Sequence, residues 1–128
     1  METKNEILDL SFEFALNIID FVEELENKRK FVIANQLLKS GTSIGANIFE
    51  AQSAESKADF IHKLKISDKE AKETQYWLLL CEKSVHYPFR ENLKSQLLSI
   101  QIRENLKSQL LSIQKLLSKI ISTSKKYQ

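Results

Sequence analysis

Turn-forming residues are scarce in this chain. Its 128 residues include two glycines, Gly41 and Gly45, and a single proline, Pro88. Sheet-rich domains need tight turns, and tight turns draw on these residues, so the shortage points to a few long helices. The one cysteine, Cys81, excludes an internal disulfide, which suits a reducing compartment. The start, METKNEILDLSFEF, carries acids at Glu2, Glu6 and Asp9 rather than the basic start and apolar run of a signal peptide. No apolar run approaches the ~20 residues of a membrane span. These features predict a soluble, cytoplasmic protein with no membrane partner.

Groups able to do chemistry are also sparse. His62 and His86 are the only histidines and lie far apart. A di-metal bundle requires Glu-x-x-His on two helices; Glu70 and Glu73 have that spacing, but no histidine stands where the motif needs one. Cys81 has no base beside it in sequence, and such a cysteine usually packs. Ser40, Thr42 and Ser43 lack the sharp turn of an activated nucleophile. The stretch Ser40–Ile48 contains both glycines but matches neither a phosphate loop nor a dinucleotide fingerprint, and no strand precedes it. No nucleophile, base and orienting group assemble. The expectation is a protein that is not an enzyme and uses no cofactor or metal.

The hydrophobic and charged fractions, 42% and 28%, are ordinary for one soluble domain. Net charge is +2 but unevenly distributed. Residues 1–26 hold eight acids against Lys4, whereas from Asn105 onward there are five lysines and no acid. An acidic first helix and a basic tail suggest complementary packing or a site for an anionic partner.

Helical periodicity divides the chain into four. Helix 1 should begin near Thr3, with Thr3 and Glu6 at capping-box spacing. Ile7, Leu10, Phe14, Ile18, Phe21, Val22 and Leu25 form one row, and Leu8, Phe12, Ala15, Leu16 and Ile19 a second beside it. Together they cover roughly two-thirds of the circumference, against a stripe of somewhat over ~100° for an ordinary surface helix. The extra width implies either a second subunit on Leu8, Phe12, Leu16 and Ile19, or deep burial in one bundle. Helix 2 runs from the basic stretch Lys28–Lys30 to about Ala51 or Gln52, its glycines allowing a tight crossing. Helix 3 follows Ser53–Lys57 and stops near Glu82–Ser84, before the turn at Pro88. Phe60, Ile61, Leu64, Ala71, Leu78 and Leu79 share its apolar side, which Asp68 and Gln75 interrupt.

The last segment holds an internal repeat: RENLKSQLLSIQ occupies Arg90–Gln101 and again Arg103–Gln114. An offset of thirteen residues turns a helix face by about 220°, so the two copies cannot share one groove in a straight helix. An uninterrupted helix from Phe89 to Ser124 would also reach about 54 Å and overshoot its partners. The second copy continues in register with the tail, as Leu106, Leu110, Ile113, Leu117, Ile120 and Ile121. It is therefore expected to be the packed copy, with the first outside the bundle. The alternative keeps the first copy beside helix 3 and projects the second.

Gln36–Ala51 (QLLKSGTSIGANIFEA), the run Asp59–Ile66 (DFIHKLKI) and the pattern Glu70-Ala71-x-Glu73-Thr74-x-Tyr76-Trp77-Leu78 resemble the 23S rRNA-intervening sequence protein family. The likeness covers about residues 5–89 and the end of helix 4. Asp68 departs from it, standing where that family usually has an apolar residue. The repeat departs too, and removing one copy leaves a typical length. The resemblance implies antiparallel bundles that assemble as rings of five. Some such proteins are encoded within ribosomal RNA gene insertions, and a related group serves reverse transcriptases with basic surfaces that meet nucleic acid. It implies no enzymatic activity.

The sequence thus predicts an all-α, antiparallel up-and-down four-helix bundle in one domain spanning 1–128, with the duplication at 90–114 inside helix 4. The leading functional expectation is a homo-oligomeric, pentameric scaffold that binds RNA or a nucleic-acid-processing protein. Lys65, Lys69, Lys72, Lys115, Lys119, Lys125 and Lys126 are the candidate phosphate contacts. Tyr76 and Trp77 could stack a base, but such a pair more often forms core or joins an interface with Leu8, Phe12, Leu16 and Ile19. Asn47, Glu50, Glu70 and Glu73 are candidates for a polar network between helices. The alternative is a structural or protein-interaction ring with no nucleic-acid role.

Overall fold

The computed structural model describes residues 5–126, which form four helices: α1 (Glu6–Asn27), α2 (Phe31–Ala51), α3 (Lys57–Lys83) and α4 (Glu91–Lys126). No strand occurs among the described residues. Each helix packs on its chain neighbour, and α4 closes against α1. The contacts pair opposite ends. Gln52 meets Asn5, Lys63 meets Glu50, Lys94 meets Glu82, and Arg90 meets Asp20 while Arg103 meets Glu6. These are the pairings of antiparallel neighbours, and short connections enforce them.

Local chemistry fixes the ends. The α1 cap is Asn5, whose side chain accepts from the Leu8 amide at 3.2 Å. The expected Thr3–Glu6 capping box rests on Thr3, which lies outside the described residues; among those described the cap is Asn5. At the other end of α1, Arg29 takes φ 63°. The Arg29 amide donates to the Glu26 carbonyl and the Lys30 amide to the Leu25 carbonyl, both at 2.8 Å. This left-handed C-terminal motif usually employs glycine; here an arginine accepts the conformation and the turn stays three residues long. Ser56 caps α3 by accepting from the Asp59 amide at 3.0 Å.

The core runs through all four helices. Ile7, Phe14, Ile18, Phe21, Val22 and Leu25 of α1 meet Ala34, Leu37, Ile44 and Ile48 of α2. Leu64, Ala71, Leu78 and Cys81 of α3 and Leu93, Leu97 and Ile100 of α4 complete it. On α3 the buried stripe also includes Ser67 and Thr74, whereas Leu79, expected on the apolar side, is exposed. Gly41 and Gly45 lie inside the unbroken α2, as the tight-crossing reading required. A Cβ on Gly41 would sit 2.9 Å from Ile18 Cγ1, and one on Gly45 3.2 Å from the Ser11 carbonyl oxygen. The small residues therefore set how closely α1 and α2 approach.

Helix α4 reverses the expected order of the repeat. It is one helix of 36 residues, and the first copy is the packed one: Leu93, Leu97 and Ile100 are buried. In the second copy Leu106, Leu110 and Ile113 are 60%, 55% and 54% exposed. The tail register favoured the second copy, but the connection from α3 delivers the first copy to the groove first. The helix then continues unbroken, and the 220° rotation carries the second copy's apolar side out to solvent. After Leu111 every described side chain of α4 is exposed. Ser112–Lys126 extends past the bundle by roughly 22 Å at 1.5 Å per residue.

Rotation also brings a carboxylate into the core. Glu104, the second copy's counterpart of the exposed Glu91, is 1% exposed. Both its carboxyl oxygens are buried without a hydrogen-bond partner. The neighbouring Ser67 hydroxyl donates to the Ile44 carbonyl at 3.0 Å. Burial pushes the Glu104 pKa from 4.5 up to about 7; proximity to Ser67 moderates the rise and the Asp68 charge adds to it. The folded state therefore holds this proton more tightly than the unfolded chain, and the group's cost to stability grows as pH rises from about 4.5 to about 7. At about 1.36 kcal/mol per pH unit the full cost is on the order of 3 kcal/mol. Urea unfolding of Glu104→Leu should show a gain over the parent that is small near pH 4.5, approaches that figure at pH 8, and tracks this window. A gain independent of pH would mean that Glu104 does not titrate in the core.

Candidate nucleic-acid interface and subunit surface

Two kinds of surface emerge from this packing, one basic and one apolar. The basic candidates fall into separate groups. Lys65, Lys69 and Lys72 lie exposed on α3, alongside the bundle. Lys72 pairs with Asp68 at 3.2 Å, so part of its charge is already met. Lys115, Lys119 and Lys125 are exposed on the projecting end of α4. Lys126 closes that helix, and its side chain lies outside the described part. Glu104 is the α4 residue level with Ser67 and Asp68, and Lys119 is a further ~22 Å along the helix. The fold does not merge the two lysine groups into one patch. Lys107, not anticipated as a contact, lies between them with its ammonium 5.2 Å from the centre of the Phe60 ring.

The apolar surface is built by the second row of α1. Phe12 is 65% exposed, Leu16 and Ile19 are also exposed, and Leu8 is half-buried against the core. Phe49 of α2, 70% exposed, lies beside Leu8 and Phe12. Leu8, Phe12, Ala15, Thr42, Gly45, Ala46 and Phe49 together line a shallow apolar groove, open because the glycine-containing stretch of α2 presents so little side chain. Deep burial of helix 1 within its own bundle is thereby excluded, since half of its apolar width faces outward. The sequence singled out the α1 row; Phe49 was missed because an isolated aromatic gives no periodic signal.

Tyr76 and Trp77 lie on α3, diagonally across the bundle from α1. Tyr76 is exposed; Trp77 is half-buried and packs on the core. The rings meet edge to face with centroids 5.3 Å apart. The indole Nε1 of Trp77 is buried without an acceptor.

The expected polar network takes a different form. The Asn47 side chain donates to the Ser43 carbonyl of its own helix at 2.8 Å, and Glu50 pairs with Lys63 at 3.4 Å. Glu73 is exposed and Glu70 half-buried, and among the described residues no hydrogen bond joins any two of the four. The buried polar links between α2 and α3 come instead from small hydroxyl residues. Thr74 Oγ1 donates to Ser40 Oγ at 2.9 Å, and Ser67 Oγ to the Ile44 carbonyl. Their signal was present: Ser67 and Thr74 follow Leu64, Ala71 and Leu78 at heptad spacing, with hydroxyls in place of apolar side chains. Cys81 is buried, which raises its pKa to about 11; a thiol held in that state is a poor nucleophile. No helix of the described residues is long and apolar enough to cross a membrane.

Comparison with known proteins agrees with this architecture. A crystal structure at 1.70 Å of a protein of unknown function from the S23 ribosomal protein family of Bacteroides thetaiotaomicron is 48% identical, with a TM-score of 0.61. The match covers 82% of this chain and 94% of that one, so the relative is the shorter of the two. The comparison with curated proteins gives no match. The family model described as 23S rRNA-intervening sequence protein matches residues 3–119, almost the whole chain. This chain therefore belongs to the 23S rRNA-intervening sequence protein family.

Proposed function

We propose that the protein is a non-enzymatic, cytoplasmic scaffold that assembles with copies of itself into a closed ring, a pentamer by resemblance, and binds RNA or a ribonucleoprotein partner. The observation that carries the assembly is the exposed row Phe12, Leu16 and Ile19, with Phe49 beside its Phe12 end. A contiguous apolar face of this kind on a small domain marks an interaction site. A ring requires two different complementary patches on each subunit. The α1–α2 face supplies one, and Tyr76 on α3, diagonally placed, supplies part of the other.

Sedimentation at micromolar concentration should give an oligomeric mass. Leu16→Glu, which places a charge on the exposed row without touching the core, should shift the protein to monomer with unchanged helical circular dichroism. A monomeric parent protein at that concentration refutes the assembly.

The RNA reading is supported by Lys65 and Lys69, both exposed on α3, and by the lysine-only charge of the tail. Gel-shift titration with ribosomal RNA fragments at two salt concentrations should show affinity falling steeply with salt, because bound lysines release counterions. A Lys65→Ala/Lys69→Ala variant should reduce the salt slope by about 2, near 1 for each lost phosphate contact. Absence of binding at low salt removes the nucleic-acid role and leaves a protein-interaction ring. The separation of the lysine groups and the Lys72–Asp68 pair favour that second reading.

A further inference from the structure

The groove between α1 and α3 is a site for one particular helical sequence, RENLKSQLLSIQ, and the chain carries that sequence twice. The contacts of the first copy define the site. Arg90 donates to Asp20 at 2.7 Å and to Glu24 at 2.6 Å, and Lys94 to Glu82 at 3.0 Å. Asn17 donates to Gln96 at 3.1 Å, and Gln101 to Gln75 at 3.2 Å, while Leu93, Leu97 and Ile100 fill the core. In the second copy every one of these α4 residues recurs thirteen positions on: Arg103, Lys107, Gln109, Gln114, Leu106, Leu110 and Ile113. Of these, Leu106, Gln109, Leu110, Ile113 and Gln114 are now exposed, while Arg103 and Lys107 meet Glu6 and Phe60 instead of the partners that Arg90 and Lys94 have. We propose that Arg103–Gln114 is a second ligand for the α1–α3 groove of the same chain, so that α4 has two registers thirteen residues apart.

The residues C-terminal to each copy support the second register. After the first copy, Glu104 occupies a buried position, and Lys107 and Ser108 half-buried ones. After the second copy, the same places would be taken by Leu117, Ile120 and Ile121. The exposed places now held by Ile102, Asn105, Leu106, Gln109 and Leu110 would pass to Lys115, Ser118, Lys119, Ser122 and Thr123. The tail's apolar residues thus align with the groove and its polar ones with solvent; Leu116 and Ser124 are the exceptions. The slipped register buries Leu117 and half-buries Ile120 and Ile121, all three now exposed, and releases the unpartnered Glu104 carboxylate.

The opposing cost is that residues 90–102 leave the groove and join the connection from α3. Closing a longer flexible connection costs only logarithmically in its length, although Leu93, Leu97 and Ile100 then face solvent. The present register keeps the short connection and one continuous helix. Because both states use the same groove contacts for the repeat, they differ in the connection, the tail, Glu104 and the present Arg103–Glu6 and Lys107–Phe60 contacts.

Paired cysteines in a Cys81→Ala background report the two registers. Asn17→Cys/Gln96→Cys marks the present one. Asn17→Cys/Gln109→Cys marks the slipped one, because Gln109 is now displaced by about 20 Å along α4. In a glutathione redox buffer, thiol–disulfide exchange brings both pairs to equilibrium. The expected result is an intrachain disulfide from each pair. Adding Glu104→Leu should lower the disulfide yield of the Asn17→Cys/Gln109→Cys variant by about tenfold or more, since it removes the burden on the present register. Closure of the Asn17→Cys/Gln96→Cys pair alone overturns the proposal, as does a disulfide of the Asn17→Cys/Gln109→Cys variant found only between chains. If neither pair closes, amide hydrogen exchange of the unmodified chain decides. Slippage requires Leu93–Ile100 to be less protected than Phe14–Val22 of α1, and Glu104→Leu to remove the difference. Equal protection in the parent protein contradicts it.

Discussion

Arg90 joins the start of α4 to the end of α1. Its guanidinium reaches Asp20 and Glu24 together and lies 5.4 Å from the centre of the Phe21 ring. These acids hold its pKa above the ordinary arginine value. With Leu93, Leu97 and Ile100 in the core behind it, this contact sets the register of everything downstream on a continuous helix. From that register come a carboxylate at a core position, a second repeat copy turned outward, and a tail of leucine and isoleucine in water. None of these is a separate feature of the fold; each is the same helix read further along.

Much of the bundle was legible in the residues. The scarcity of glycine and proline announced long helices, and the rows of α1 gave both its core face and its outward one. Gly41 and Gly45 pointed to a close crossing, which the fold makes against Ile18 and Ser11. The order of the repeat copies was not legible. Periodicity showed correctly that two copies thirteen apart cannot share a groove, but it weighs only side chains. It favoured the copy continuous with the tail, whereas the folded chain keeps the copy nearest α3, where the connection is short. The polar contacts between α2 and α3 were misplaced for a related reason. Charged and amide residues draw attention in a sequence, yet hydroxyls at heptad positions can be buried once hydrogen-bonded, and Ser67 and Thr74 are.

The apolar surface divides into two kinds. The α1–α2 face around Phe12, Leu16 and Phe49 belongs to the body of the bundle and does not depend on the repeat. The face along Leu106–Ile121 goes with the repeat, since a thirteen-residue shift would set Leu117, Ile120 and Ile121 at the places of Glu104, Lys107 and Ser108. Membership in the 23S rRNA-intervening sequence protein family bears on the first kind. The second follows from the repeat itself.

The most direct measurement is therefore the thermal stability at pH 8 of a chain lacking residues 90–102. Arg103–Gln114 should then take the groove, with Leu117, Ile120 and Ile121 replacing Glu104, Lys107 and Ser108 beneath it, and the midpoint should rise by roughly 5 °C or more. A shortened chain that unfolds at the same temperature or lower would contradict a register set by the first copy at the expense of the tail.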